Sequence, residues 1–181
     1  LPPHLEPLDN KEIWLTDKLT IQLQSFKVAG HRGQQVAEAR GIVAIDNSKA
    51  TNPHAADSAL AGHDSVIWVA GGQLKGAEVD DLIARHAHRL KAVALMGVDR
   101  NIIRESVEKH APGVPIFVTD DTDPQSAMDA VCAWAVTQAS SGDAIVLAPA
   151  AASLDMYTGM GQRGVLFAES VSAHLGGVAP K

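Results

Sequence analysis

The chain has 181 residues, 46% of them apolar and 20% charged, with a net charge of −6 at neutral pH. That length suits one domain whose core, burying roughly 70% of the unfolded surface, needs neither disulfides nor a structural metal. The single cysteine, Cys132, has no partner for an internal bridge; there is no signal-peptide pattern, no apolar run of the ~20 residues a membrane span requires, and no clustered basic face for nucleic acid. A cytoplasmic protein with no membrane or nucleic-acid partner is the expectation.

Residues 1–30 read differently from the remainder. Leu1-Pro2-Pro3 and Pro7 give a loop-like start, and Asp17 is placed to cap a short helix with apolar positions Leu19, Leu23 and Phe26, ending before Gly30. From Gln35 onward, short apolar runs alternate with helical periods. Val36–Arg40 and Ile42–Asp46 read as two strands joined at Gly41, too tightly linked for a crossover and therefore antiparallel. Asn52-Pro53 opens a helix, with Asn as cap and Pro at the first helical position.

Val66–Ala70 is a buried strand stopping at Gly71-Gly72, and the next helix places Val79, Leu82, Ile83, His86 and Leu90 on one stripe. Ala92–Met96 is a further strand, followed by a helix near Asn101–His110. Val114–Val118 is a strand that Pro115 assigns to a sheet edge. Asp123-Pro124 caps a helix bearing Met128, Val131, Cys132 and Ala135; Ala144–Ala148 is the last strand; a final helix carries Phe167, Val171 and His174. Such alternation predicts a Rossmann-like α/β fold, a mainly parallel sheet flanked by helices with an antiparallel opening hairpin.

In open parallel sheets, ligands bind beyond the carboxyl ends of the strands. Three of those ends carry unusual loops: Asn47-Ser48-Lys49-Ala50-Thr51-Asn52, Gly71-Gly72-Gln73-Leu74-Lys75-Gly76 and Pro149-Ala150-Ala151-Ala152-Ser153-Leu154-Asp155. Each combines small residues, which let backbone approach a ligand, with a cation or a hydroxyl. A lone lysine at a strand end is usually only a solvated surface residue, and Gly-Gly alone is usually a turn. Lys49, Thr51, Lys75 and Ser153 on one rim, however, suit a small molecule with two carboxylates, and the helix start at Asn52 adds backbone N–H groups favourable to an anion.

Several ordered blocks now identify a resemblance. Asp46-Asn47-Ser48-Lys49-Ala50-Thr51-Asn52-Pro53 resembles the D-D-S-K-A-T-N segment of the Mur peptide ligase family, in its D-glutamate-adding branch. His31-Arg32 is similar to the His-Arg pair opening that family's third domain, and Gly71–Gly76 to its G-G-x-x-K-G/S loop. Ala148-Pro149 through Asp155 resembles S-P-A-x-A-S-x-D, and Gln162-Arg163-Gly164 its Q-R-G. The blocks run in order across roughly residues 31–170.

The resemblance implies that residues 31–181 are the carboxyl-terminal, amino-acid-binding domain, with 1–30 the tail of a central ATP-binding domain or an extension. Lys49 and Thr51 would hold the α-carboxylate region of D-glutamate, and Lys75 and Ser153 its side-chain carboxylate. Leu154 and Met160 would lie nearby, while Arg32 and Asn47 would face the nucleotide. Complete enzymes of the family use ATP and Mg2+ to join D-glutamate to UDP-N-acetylmuramoyl-L-alanine in peptidoglycan synthesis, through an acyl phosphate and a tetrahedral intermediate. A Walker A loop, G-x-x-x-x-G-K-[ST], occurs nowhere in the chain, so this part alone is expected to be inactive, with no metal of its own.

Departures from the family pattern are Asn47 for Asp, Ala148 for Ser, Ala151 for Cys and Met160 for an aromatic residue. Related Mur or folylpolyglutamate-type ligases with another amino acid, and a non-catalytic binding module, are the competing readings. Other signals carry less. Gly159-x-Gly161-x-x-Gly164 satisfies a dinucleotide fingerprint in letters but lies beyond its strand with no second βαβ half, so a turn opening the last helix is expected. His86 and His88 diverge on a helix, His54 reads as a surface or neighbouring residue, and Trp14, Trp68 and Trp134 read as packing residues.

Overall fold

The opening hairpin turns on two residues in the left-handed region, Arg40 at φ 55° and Gly41 at φ 75°, the pairing that two-residue hairpin turns demand. They join β1 (Gln34–Ala39) to β2 (Ile42–Asp46), which pair antiparallel with Ala39 opposite Ile42. Arg40 thus belongs to the turn and not to the strand. The structure, a computed structural model, describes residues 30–176; the helix expected over residues 17–26, and Trp14, lie outside them. The unit it describes begins at His31.

Asn52 caps α1 (Pro53–Ala61) as its side chain predicts: its amide oxygen accepts the Ala55 N–H at 2.9 Å. Asp123 does the same for α4 (Pro124–Gln138), accepting from Ser126 N at 2.9 Å. Between them lie β3 (Val66–Gly71), α2 (Asp80–His86), β4 (Leu90–Met96), α3 (Arg100–His110) and β5 (Ile116–Val118), and the chain closes with β6 (Ala144–Leu147) and α5 (Met160–Leu175).

One expected helical position moves. Leu90 does not continue the stripe of Val79, Leu82, Ile83 and His86; α2 stops at His86 and Leu90 opens β4, in register with Val66. The Arg89 N–H closes a turn on the His86 carbonyl, and the Arg89 carbonyl accepts from Val66 N, so strand pairing begins one residue before Leu90. A leucine suits either element, and the ladder decides.

The sheet runs β1-β2-β6-β3-β4-β5, with every neighbouring pair parallel except β1 and β2. β5 is an edge strand as expected, but it starts at Ile116: Val114 and Pro115 precede it, with the Pro115 carbonyl accepting the Val93 N–H. Alternate residues of β3 serve opposite faces: Val66, Trp68 and Ala70 pack with Leu60, Ile83, Ile103 and Val107 on one side, Ile67 and Val69 with Met128, Val131, Phe167 and Val171 on the other. Both faces are covered, which is why the central strands read as unbroken apolar runs. β6, last in the chain, is inserted between β2 and β3, so the three unusual loops leave adjacent strands.

Candidate functional site

The three loops are tied to one another. The Ala150 N–H donates to the Ala50 carbonyl at 2.9 Å, joining the loops after β6 and β2. Gln73 and Ala152 exchange two backbone bonds, at 2.9 and 2.8 Å, joining the loops after β3 and β6. Gly72 makes that approach possible: a Cβ there would stand 2.2 Å from the Ala152 carbonyl oxygen. Asp99 extends the network, accepting the Leu74 N–H at 2.7 Å while its own N–H donates to Gly72 O at 3.1 Å.

Backbone strain concentrates here. Among the described residues, the non-glycine residues with positive φ are His31, Arg40, Lys75 and Ala150; Lys75 and Ala150 lie in the rim loops, and His31 is hydrogen-bonded to the loop after β2. Each such residue costs about 1 kcal/mol or more and persists where its surroundings over-determine it, a pattern enriched at ligand sites.

Lys49, Asn47 and Arg32 share one hollow of about 450 Å³ with Ala50, Ala55 and Ser58, beside the start of α1. Lys49 is half-buried and its N–H donates to the His31 carbonyl at 3.1 Å, which brings the Arg32 segment against the β2 loop. His31 Nδ1 also meets the buried Asp46 carboxylate directly. Thr51 is half-buried, its N–H on the Lys49 carbonyl at 2.8 Å.

Lys75 lies outside that hollow, exposed at the tip of the β3 loop with φ 52°. Ser153 is only 4% exposed, and its carbonyl accepts from Met156 N and Tyr157 N. Leu154, 67% exposed, and Met160, 40% exposed, present apolar side chains to solvent. A second hollow, about 290 Å³, opens beyond β3 and β4, lined by Gln73, Val98, Arg100, Asp121, Thr122, Asp155 and Met156. The site residues expected from sequence therefore share one rim but not one closed cavity.

His88, expected on the helix with His86, lies two residues beyond the end of α2. His86 is buried with Nε2 on Asp57 at 2.5 Å, whereas His88 and His54 are exposed. Trp68 is fully buried and donates to the Ala148 carbonyl at 2.7 Å, while Trp134 stacks on Phe117.

Sequence reasoning gave no role to Arg163, which is fully buried. Its Nε donates to Ser48 Oγ at 3.0 Å, one terminal nitrogen to Ser48 O at 2.7 Å, the other to Ala151 O at 3.0 Å. Ser48 Oγ in turn donates to the Met160 carbonyl at 2.6 Å. Burial pulls the guanidinium down to about 10, opposed by the nearby Tyr157, Asp155 and Asp46; it stays protonated at neutral pH. The signal was present: Arg163, Phe167, Val171 and Leu175 recur every four residues, so a charge sits on the core-facing stripe of a helix.

The family model for the Mur ligase, glutamate ligase domain matches residues 31–151. The chain belongs to this family. The match covers β1 to β6 and stops at Ala151, within the third loop of this Mur ligase domain. Curated relatives include the UDP-N-acetylmuramoylalanine--D-glutamate ligase of Corynebacterium diphtheriae, 69% identical over 153 residues, which are 84% of this chain and 32% of that protein. The ligase of the same name from Corynebacterium efficiens is 58% identical over 159 residues, 88% of this chain and 34% of that one. That from Streptomyces avermitilis is 47% identical over 149 residues, 82% of this chain and 32% of its own length. The Mur ligase domain thus spans about a third of the length of these relatives.

Among solved structures, a domain assigned to a ligase of UDP-N-acetylmuramate and a diaminopimelate-containing peptide, from Haemophilus ducreyi, superposes with a TM-score of 0.52 at 15% identity, over 79% of this chain and 99% of that one. The UDP-N-acetylmuramate-alanine ligase of Thermotoga maritima gives 0.50 at 13% identity, over 80% of this chain and 30% of that one. At such identities the likeness concerns the Mur ligase domain fold alone.

Proposed function

We propose that this chain is the amino-acid-gripping domain, preceded by a central ATP-binding domain ending near residue 30, of a cytoplasmic, ATP-dependent ligase that joins D-glutamate to UDP-N-acetylmuramoyl-L-alanine in peptidoglycan synthesis. The observation that carries the reading is the cross-tied rim: loops bearing Lys49, Lys75 and Ser153 leave three adjacent strands and hydrogen-bond to one another. Identity of 47 to 69% to ligases of that name supports the choice of amino acid.

Lys49 and Thr51 hold the α-carboxylate region of D-glutamate, and Lys75 and Ser153 its side-chain carboxylate. Because Ser153 is only 4% exposed, most of the electrostatic grip falls on the lysines. Exposed Leu154 and Met160 close apolar contacts over the methylenes. Arg32 and Asn47 face the nucleotide, in a hollow whose other cation, Lys49, serves D-glutamate. ATP and Mg2+ would be held mainly by residues outside this chain, and the chain alone forms no product. ATP phosphorylates the acceptor carboxylate and leaves as ADP; the D-glutamate amine then attacks the acyl carbon, and phosphate departs from the tetrahedral intermediate. This domain contributes orientation, worth several kcal/mol in such a step, on the order of the ~7–11 kcal/mol ceiling for intramolecularity.

Lys49→Ala and Lys75→Ala in the complete ligase test the reading by steady-state kinetics. Loss of a charged hydrogen bond, about 1.5–3 kcal/mol, raises the KM for D-glutamate roughly 10- to 100-fold. A panel of amino acids with the unaltered enzyme should show preference for a dicarboxylate. Unchanged D-glutamate kinetics in both variants would overturn the assignment, and preference for a monocarboxylate would replace the substrate.

A further inference from the structure

We infer that Arg163 is a positioning residue: its one guanidinium holds the loop after β2 against the loop after β6, and so fixes where Lys49 stands relative to Ser153 and Leu154. The inference rests on the reading of the site given above and extends it to a residue that touches no substrate.

Position 163 falls on the buried stripe of α5, where Phe167, Val171 and Leu175 follow at intervals of four. An apolar side chain would satisfy helix packing there. A buried cation is normally retained against a carboxylate, yet the guanidinium of Arg163 donates to neutral acceptors in two rim loops: Ser48 Oγ, Ser48 O and Ala151 O. Those acceptors stand one residue before Lys49 and two before Ser153. Through the Ser48 hydroxyl, which donates to the Met160 carbonyl, the start of α5 joins the same cluster.

The chemistry needs arginine. A planar fork with donors on separate nitrogens reaches two carbonyls and a hydroxyl in fixed directions, whereas an ammonium is a point charge on a flexible stem. Removing the fork leaves the Ser48 and Ala151 carbonyls without this shared donor. The Ala150–Ala50 bond alone then joins the two loops directly at the backbone. Loosening would fall on the relative placement of Lys49 and Ser153, not on either residue itself, so binding of the amino acid suffers.

The test uses the complete ligase with Arg163→Lys and with the milder Ser48→Ala, which deletes one bond and keeps the cation, alongside Lys49→Ala. Hydrogen exchange should quicken in both segments 47–52 and 149–155 of the arginine variant. Its KM for D-glutamate should rise about tenfold, and Ser48→Ala should give a smaller rise in the same direction. Combined with Lys49→Ala, the Arg163→Lys effect on that KM should shrink to less than about threefold, because both act on one contact. Exchange unchanged in either segment, or a fall in kcat and melting temperature with the KM for D-glutamate unmoved in both Arg163→Lys and Ser48→Ala, overturns the positioning role. If both loops loosen while Lys49→Ala leaves D-glutamate kinetics untouched, the tie stands and the grip assigned to Lys49 fails.

Discussion

Gly72→Ala probes the contact that welds two of the rim loops. The added Cβ would lie 2.2 Å from Ala152 O and 3.2 Å from the Ala151 side chain. Ordinary C···O contacts are about 3.3 Å or longer, so the loops must part by roughly 1 Å. That movement breaks both Gln73–Ala152 backbone bonds, at about 0.5–1.5 kcal/mol each. Alanine at φ 139° adds about 1–3 kcal/mol of backbone strain. The sum is about 2–6 kcal/mol, a fall in melting temperature on the order of 10 °C for a domain this size. Gly113→Ala is the control: φ is 89° there, with nothing within 4 Å of the added methyl, so only the backbone cost applies. Calorimetry of both variants should show the Gly72 effect clearly larger. Equal shifts would mean that the Gly72 approach contributes nothing and that the loops are not welded there.

At the opposite end of the sheet, burial alone would raise the Asp143 carboxyl, but hydrogen bonds from Lys91, the Ser140 N–H and Ser65 hold it below the usual carboxylate range. A carboxyl lowered by folding contributes stability that is complete above its unfolded value, about 3.9, and is lost as pH falls through the folded value. Asp143→Asn should therefore cost about 1–3 kcal/mol in urea unfolding at neutral pH, with the difference shrinking below about pH 4; a cost independent of pH would contradict the ion-pair account. Burial pushes the fully buried Cys132 thiol up, so it should resist a thiol reagent in the native protein and react fully in denaturant; rapid native reaction would show that the packing under α4 is wrong.

The sheet was legible because its signals are local. Asn52-Pro53 and Asp123-Pro124 carry their own capping chemistry, Gly41 its own turn, and buried strands their unbroken apolar runs. Leu90 was misplaced because an apolar residue satisfies a helix stripe and a strand equally, and pairing with β3 is a long-range fact. Strand order was equally non-local: nothing in Ala144–Leu147 says that it inserts between β2 and β3. At the rim, sequence named the loops, since small residues beside lysine and hydroxyl groups stand out. It missed the joinery, because the Gln73–Ala152 pair is made of backbone and Arg163 looked like one letter of a motif. Nor could it foresee that Lys49 opens on a hollow with Arg32 while Ser153 is enclosed.

The decisive measurement is a crystal structure of the complete ligase with D-glutamate bound. The account predicts one carboxylate within hydrogen-bonding distance of the Lys49–Thr51 loop and the other against Lys75, with Leu154 and Met160 alongside. D-Glutamate held elsewhere, with neither lysine in contact, would contradict it.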